Sequence, residues 1–361
     1  MKNGSVQKIS FFLVIFSLVF ISAFLLLGNA KATVLLEMVE DPKGGSEVDA
    51  SSKSENKELD LTVLYTNDTH AHLKDIPRRF TAINKIRNVK ENVLLLDAGD
   101  VFTGSLYFKQ YLGQADIQFM NKIGYDAMVL GNHEFDKSSV ILRDFIKAAE
   151  FPIVGANIDF SKDEELKDLS RIEIDTTGWK GTIHPSVVKK IKGQRVGIIG
   201  LTTQRTTLLS NPNKDIVFED AFKKAKETIN ALEAKGVNKI IVLSHLGYSN
   251  DKKLANTVDG IDVIVGSHSH HKLKEPDVIN QKKKPTLIVQ AGRYGRFLGQ
   301  LDVTFDDKGK LTMWNGKLLD ITDKNEKGEF IYKEDKWAKY FLEELSVPIK
   351  EIKKKKRVHE K

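Results

Sequence analysis

Along the chain, short runs of consecutive aliphatic residues alternate with stretches whose apolar positions recur at helical spacing. The runs Leu61–Thr66 (LTVLYT), Val93–Asp97, Ala127–Leu130 and Pro152–Gly155 are short and β-prone, and they predict strands. Between them, periodic stretches predict helices over Arg78–Val89, Leu106–Lys122 and Asp136–Ala149. Strand and helix in strict alternation predict an α/β domain with parallel pairing. The segment Gly181–Leu201 changes character: it reads as two adjacent strands turned at Lys192-Gly193-Gln194, so the sheet there is antiparallel or mixed. A helix over Asp220–Lys235 and strands over Lys239–Ser244, Ile261–Val265 and Thr286–Gln290 follow. The strand pair Phe297–Phe305 and Lys310–Trp314, turned at Asp307-Lys308-Gly309, completes the body. After Thr322 the pattern predicts one amphipathic helix near Lys336–Leu345 and then a basic run, Lys353–Arg357.

The N-terminus is of another kind. Lys2 and Lys8 precede an apolar run from Phe11 to Leu27, and Ala30-Lys31-Ala32 offers a small-x-small cleavage site, so Met1–Ala32 reads as an export signal. The same run reaches the lower limit for spanning a bilayer, which leaves an uncleaved anchor as the alternative. Either way the protein is expected outside the cytoplasm: periplasmic, extracellular or at the cell surface. Residues 41–57 (DPKGGSEVDASSKSENK) are small, polar and charged with no apolar period, and predict a disordered linker. The expected organisation is therefore a leader over 1–32, a linker over 33–58, a catalytic domain over 59–322, and a C-terminal helix with a basic tail over 323–361.

The formal net charge of +7 over 361 residues suggests a polyanion partner until it is located. Lys2, Lys8 and Lys31 at one end, and six Lys and Arg357 against Glu351 and Glu360 at the other, account for all of it. The body is close to neutral, so no nucleic-acid partner is expected. Association with an anionic membrane or cell surface is left to the N-terminal segment or the basic tail. The chain has no cysteine, which excludes disulfides, thiolate metal sites, a catalytic Cys and an acylated Cys anchor.

Five of the nine histidines sit in short polar clusters directly after predicted strands: Asp68-x-His70, Gly99-Asp100, Gly131-Asn132-His133-Glu134, Ser244-His245 and Gly266-Ser267-His268-Ser269-His270. Ligands gather at the carboxyl ends of strands in α/β sheets, so these clusters can converge on one crevice. In an extended GSHSHH segment alternate side chains point the same way, which sets His268 and His270 together and turns His271 away. Asp68, His70, Asp100, Asn132, His245, His268 and His270 are too many donors for one tetrahedral ion with an open position. Two divalent ions bridged by Asp100 fit better, and imidazole, carboxylate and amide donors suit Zn, Mn, Fe or Co.

The blocks YTNDTHAHL, LLLDAGDVFTGS, GYDAMVLGNHEFD, SHLGY, GSHSHH and VQAGRYGRFLGQLDVTF, in this order, resemble the 5′-nucleotidase branch of the calcineurin-like metallophosphoesterases from Leu61 to Thr322. The resemblance implies a four-layer α/β/β/α sandwich of two mixed sheets with a dinuclear site at the sheet edges. It implies that Asp68, His70, Asp100 and His270 hold one ion, and Asp100, Asn132, His245 and His268 the other. His133 would stabilise charge on the phosphoryl group or protonate the leaving oxygen, oriented by Asp136, while hydroxide held by the ions attacks phosphorus. The expected substrate is a small phosphate ester, a nucleotide first.

Three departures stand out. Ala71 replaces a common Gly, His270 stands where this branch often has Gln or Asn, and the chain reaches Lys361 without the C-terminal domain that holds the nucleobase in such nucleotidases. Arg205, Arg293, Tyr294 and Arg296 lie in loops that can approach the site and receive no role. A cyclic-nucleotide phosphodiesterase, a nucleotide-sugar pyrophosphatase and a non-catalytic metal-binding surface protein remain the alternatives.

Overall fold

The computed structural model describes residues 58–176, 179–280 and 284–359. The predicted leader and all of the linker except Glu58 lie outside the described residues. Seven strands form one sheet, in the spatial order Leu311–Asp320, Phe297–Phe305, Leu59–Thr66, Val93–Asp97, Ala127–Val129, Ile153–Val154 and Ile183–His184. Six form a second: Asp277–Ile279, Thr286–Val289, Val263–Gly266, Ile240–His245, Gln194–Thr202 and Ser186–Ile191; the short strands Ile158–Asp159 and Val217–Phe218 pair separately. Both large sheets are mixed. In the first, Leu59–Thr66 pairs parallel with Val93–Asp97 and antiparallel with Phe297–Phe305. In the second, the hairpin Ser186–Ile191/Gln194–Thr202 is antiparallel beside parallel neighbours.

Alternation along each strand builds the layers. Leu61, Val63, Tyr65, Leu94 and Leu96 face Val196, Ile198, Ile241, Leu243, Val263 and Val265 in one apolar cluster between the sheets. The intervening Leu64 and Leu95 point the other way, onto Phe80, Phe119 and Phe145 of the helices Ile76–Arg87, Gln114–Ile123 and Ser139–Ala148. On the far side Ile199, Val242 and Ile264 cover Ile229, Leu232 and Leu254 of Ala221–Ala234 and Tyr248–Thr257. Helix, sheet, sheet and helix therefore stack in four layers, as expected. A strand buried on both faces explains why these runs read as nearly continuous apolar segments. The sheets approach so closely that a Cβ on Gly200 would sit 2.2 Å from the Val154 carbonyl oxygen.

Two helices differ from expectation. The predicted Leu106–Lys122 helix is two, Leu106–Tyr111 and Gln114–Ile123, because Leu112 and Gly113 both adopt left-handed backbone with φ of 51° and 86°. Gly113 was the available signal for that break. The C-terminal helix runs on to His359, through Pro348. It docks on the first helical layer: Ala338, Leu345 and Ile349 are buried, Trp337 stacks on Phe80, and Tyr111 donates to the Leu345 carbonyl at 2.8 Å.

Candidate metal centre

Each candidate ligand stands at or just past the carboxyl end of a strand. Asp68 and His70 follow Leu59–Thr66, Asp100 follows Val93–Asp97, and Asn132 and His133 follow Ala127–Val129. From the second sheet, His245 closes Ile240–His245, and His268 and His270 follow Val263–Gly266. Sharp turns aim these side chains inward: Asp68, His70, Asp100, His268 and His270 all have φ between 48° and 68°. Such backbone is unfavourable for residues with a Cβ and concentrates at functional sites. The turns are latched to each other, with the Asp68 N–H on the Gly99 carbonyl and the His70 N–H on the Asp100 carbonyl, at 2.9 and 3.0 Å.

The side chains meet in three overlapping groups: Asp68, His70 and His270; Asp100, His245 and His268; and His70, Asp100 and His133. Within each group the donor atoms lie within 4.8 Å of one another. Asp100 is central, its Oδ2 being 3.1 Å from His245 Nε2 and 3.9 Å from His70 Nε2. His270 Nε2 lies 3.4 Å from Asp68 Oδ1 and 3.4 Å from His70 Nε2. Six of the seven predicted donors, Asp68, His70, Asp100, His245, His268 and His270, fall in these groups together with His133; Asn132 precedes His133 in the chain, and Asp136 bonds to the His133 ring.

Two details fit a cation among them. Asn132 donates from Nδ2 to Ser210 Oγ at 3.3 Å, while its buried Oδ1 has no hydrogen-bond partner among the described residues. His245 Nε2 also faces the centre, 3.1 Å from Asp100 Oδ2. The remaining ring nitrogens are tied back, His245 Nδ1 to the Ala98 carbonyl at 2.8 Å and His70 Nδ1 to the Phe102 carbonyl at 3.2 Å. A carbonyl only accepts, so Nδ1 carries the proton and Nε2 is left as the ligand atom.

Charge is strongly coupled here. Burial pushes the Asp100 carboxyl up, but the rings of His245, His133 and His70 more than offset this and hold it ionised. For His245, burial disfavours the charged ring, and the Asp100 carboxylate outweighs it and raises the ring's pKa. His268 goes the other way, lowered to about 4 by burial and by His245. At the rim, the hydrogen bond from His133 Nδ1 to Asp136 Oδ2, 2.7 Å long, raises His133 to about 9. Thr103 Oγ1 donates to the same Asp136 oxygen at 2.6 Å.

Sequence reasoning passed over the residues that hold the ligand loops. The buried Glu134 carboxylate accepts four backbone N–H bonds, from Asp100, Val101, Phe102 and Gly131, at 2.6–2.9 Å. Ser267 Oγ and Asn67 Nδ2 fix Asp68 Oδ2 at 2.7 and 2.6 Å. Glu134 lay in view inside GNHEFD, but nothing in the sequence says that its carboxylate turns inward. Gly131 is required for space: a Cβ there would sit 2.2 Å from Asp100 Oδ1 and 2.6 Å from His245 Cε1. His271 turns away to Tyr248, at 4.6 Å between ring centroids, but left-handed turns at His268 and His270 produce this and not the extended alternation that was expected.

The profile described as "Calcineurin-like phosphoesterase" matches residues 61–272. The chain is 46% identical over 269 residues to the trifunctional nucleotide phosphoesterase protein YfkN of Bacillus subtilis, covering 69% of this chain and 18% of that protein. It is 36% identical over 289 residues to the snake venom 5′-nucleotidase of Naja atra, covering 72% of this chain and 53% of that protein. Among solved structures, the 5′-nucleotidase precursor from Thermus thermophilus superposes with a TM-score of 0.72 at 40% identity, covering 81% of this chain and 59% of that one. The chain thus spans well under two thirds of the length of these relatives.

Proposed function

The chain belongs to the calcineurin-like phosphoesterase family, and from that premise we propose that it is an exported, dinuclear-metal phosphohydrolase acting on nucleotides or other small phosphate esters. The observation that carries the reading is the convergence of six imidazole and carboxylate donors, Asp68, His70, Asp100, His245, His268 and His270, with the side-chain oxygen of the nearby Asn132 buried and unpaired among the described residues. Asp68, His70, Asp100 and His270 would hold one ion, and Asp100, Asn132, His245 and His268 the second. When bound, such ions polarise phosphoryl oxygens and acidify water.

The chain's own residues do the rest. Asp100 lies between the two donor groups and fixes their separation. Asp136 and Thr103 lock the His133 ring through Nδ1, so that Nε2 is the atom presented to a developing negative charge or to the leaving oxygen. Glu134 keeps the Asp100 and Asn132 loops in place while the charge distribution above them changes. Nucleotides are the favoured class because the similar proteins are named a nucleotide phosphoesterase and a 5′-nucleotidase. Export rests on the apolar N-terminal stretch, and the catalytic unit is assigned to residues 59–322.

The test is phosphate release by the purified chain loaded with Mn or Zn, on AMP, UDP-glucose, a cyclic nucleotide and bis-p-nitrophenyl phosphate. The expected result is turnover of AMP above the others and its loss in His133→Ala. Activity on the diester alone would move the assignment to a phosphodiesterase. No turnover with any metal would leave a metal-binding surface protein.

A further inference from the structure

The loop between Thr286–Val289 and Phe297–Phe305 carries two arginines with opposite situations. Arg296 is paired, with Nε and Nη2 at 3.0 and 2.8 Å from Asp320 Oδ2. Arg293 is exposed, and no carboxylate among the described residues pairs with it. Instead its guanidinium carbon lies 4.6 Å from the centroid of the Tyr294 ring, and its Nη1 is 3.4 Å from His270 Nδ1.

That ring is itself fixed. Tyr294 has φ of 62°, an unusual conformation for a bulky residue, and its N–H donates to the Asp68 carbonyl at 2.7 Å. The ring stacks on His72 at 4.0 Å, His72 Nδ1 is bonded to the His70 carbonyl at 2.9 Å, and the Tyr294 ring meets the His70 ring at 5.8 Å. A guanidinium is thus parked on a rigid aromatic stack at the edge of the centre without a counter-ion among the described residues.

We propose that Arg293, supported by the Tyr294–His72 stack, is the receptor for the non-bridging oxygens of the substrate's phosphoryl group; this rests on the hydrolase reading above. A guanidinium matches two such oxygens with parallel N–H bonds and keeps its charge at any working pH. A phosphomonoester dianion should depend on it more than a diester monoanion.

The experiment compares the metal-loaded wild-type chain with Arg293→Met, Arg293→Lys and Tyr294→Leu. It measures inorganic phosphate binding by calorimetry, metal content by elemental analysis, and KM and kcat for AMP and bis-p-nitrophenyl phosphate. Arg293→Met is expected to weaken phosphate binding and raise KM for AMP by about tenfold, with metal content unchanged and a smaller effect on the diester. Arg293→Lys restores part of the loss, and Tyr294→Leu shows part of it. Unchanged phosphate affinity in Arg293→Met overturns the proposal, as does a loss that follows metal content, which would make Arg293 a support for His270. If the wild type hydrolyses nothing yet binds phosphate through Arg293, the hydrolase reading fails and the receptor stands.

Discussion

The apolar layer between the sheets and the ligand loops at the strand ends lie only a few residues apart in sequence, and they are built on opposite terms. In the layer, Val63, Leu96, Ile198 and Leu243 sit on regular extended backbone with no polar group to satisfy. In the loops, eight of the eleven left-handed non-glycine residues among the described residues are gathered: Asp68, His70, Ala71, Asp100, Thr103, His268, His270 and Tyr294. Each such conformation costs on the order of 1–2 kcal/mol, and the surrounding structure must over-determine it. Burial supplies stability in one region, and in the other that stability is used to hold charged donors where they repel or strain one another. Glu134 joins the two, being as buried as the core yet bonded only to the loops.

Substitutions should separate the two regions. The largest effect is expected from Asp100→Asn, which keeps an acceptor for the His133 N–H but removes the central charge. Hydrolysis should fall by about a thousandfold or more with the circular-dichroism spectrum unchanged, and a loss of the native spectrum instead would show that the loops also hold the fold. Leu243→Ala is the reverse case: this fully buried residue is expected to cost about 2–5 kcal/mol in denaturant unfolding. Metal bound per folded molecule should stay the same, and a drop would break the separation.

Glu134→Gln should fall between them, since the amide turns an N–H₂ toward backbone donors that need an acceptor. Metal affinity, read by chelator competition, is expected to fall about 10- to 100-fold, and stability by about 1–3 kcal/mol. An effect on stability alone would reassign Glu134 to the core. Ala71→Gly is the smallest. At φ of 52° glycine relieves strain but removes a buried methyl, and the two should offset to within about 1 kcal/mol, with activity little changed.

Much of this architecture was legible because it is local. Strand runs ended in Asn67-Asp68, Asp97-Ala98, Leu130-Gly131 and Ser244-His245, so the sequence placed each ligand at a strand end without knowing which strands were neighbours. The helix over Leu106–Lys122 was misread because periodicity continues across Leu112-Gly113 while the backbone does not. The length of the C-terminal helix was missed because Pro348 and the lysines after it argue locally against continuing.

By itself the sequence determined the alternation of strands and helices, the chemical nature of the donors and the absence of thiolate, since these follow from residue type and from spacings within a few positions, whereas the four-layer order came from the family resemblance. Only the tertiary structure decided that the His268 N–H reaches Asp68 Oδ1 at 3.1 Å across 200 positions. It alone aimed Glu134 at four backbone donors, paired Arg296 with Asp320 and left Arg293 on its ring beside His270. The physical reason is that a hydrogen bond or ion pair is resolved within tenths of an ångström, and that precision comes from packing two sheets together, which no local pattern of residues encodes.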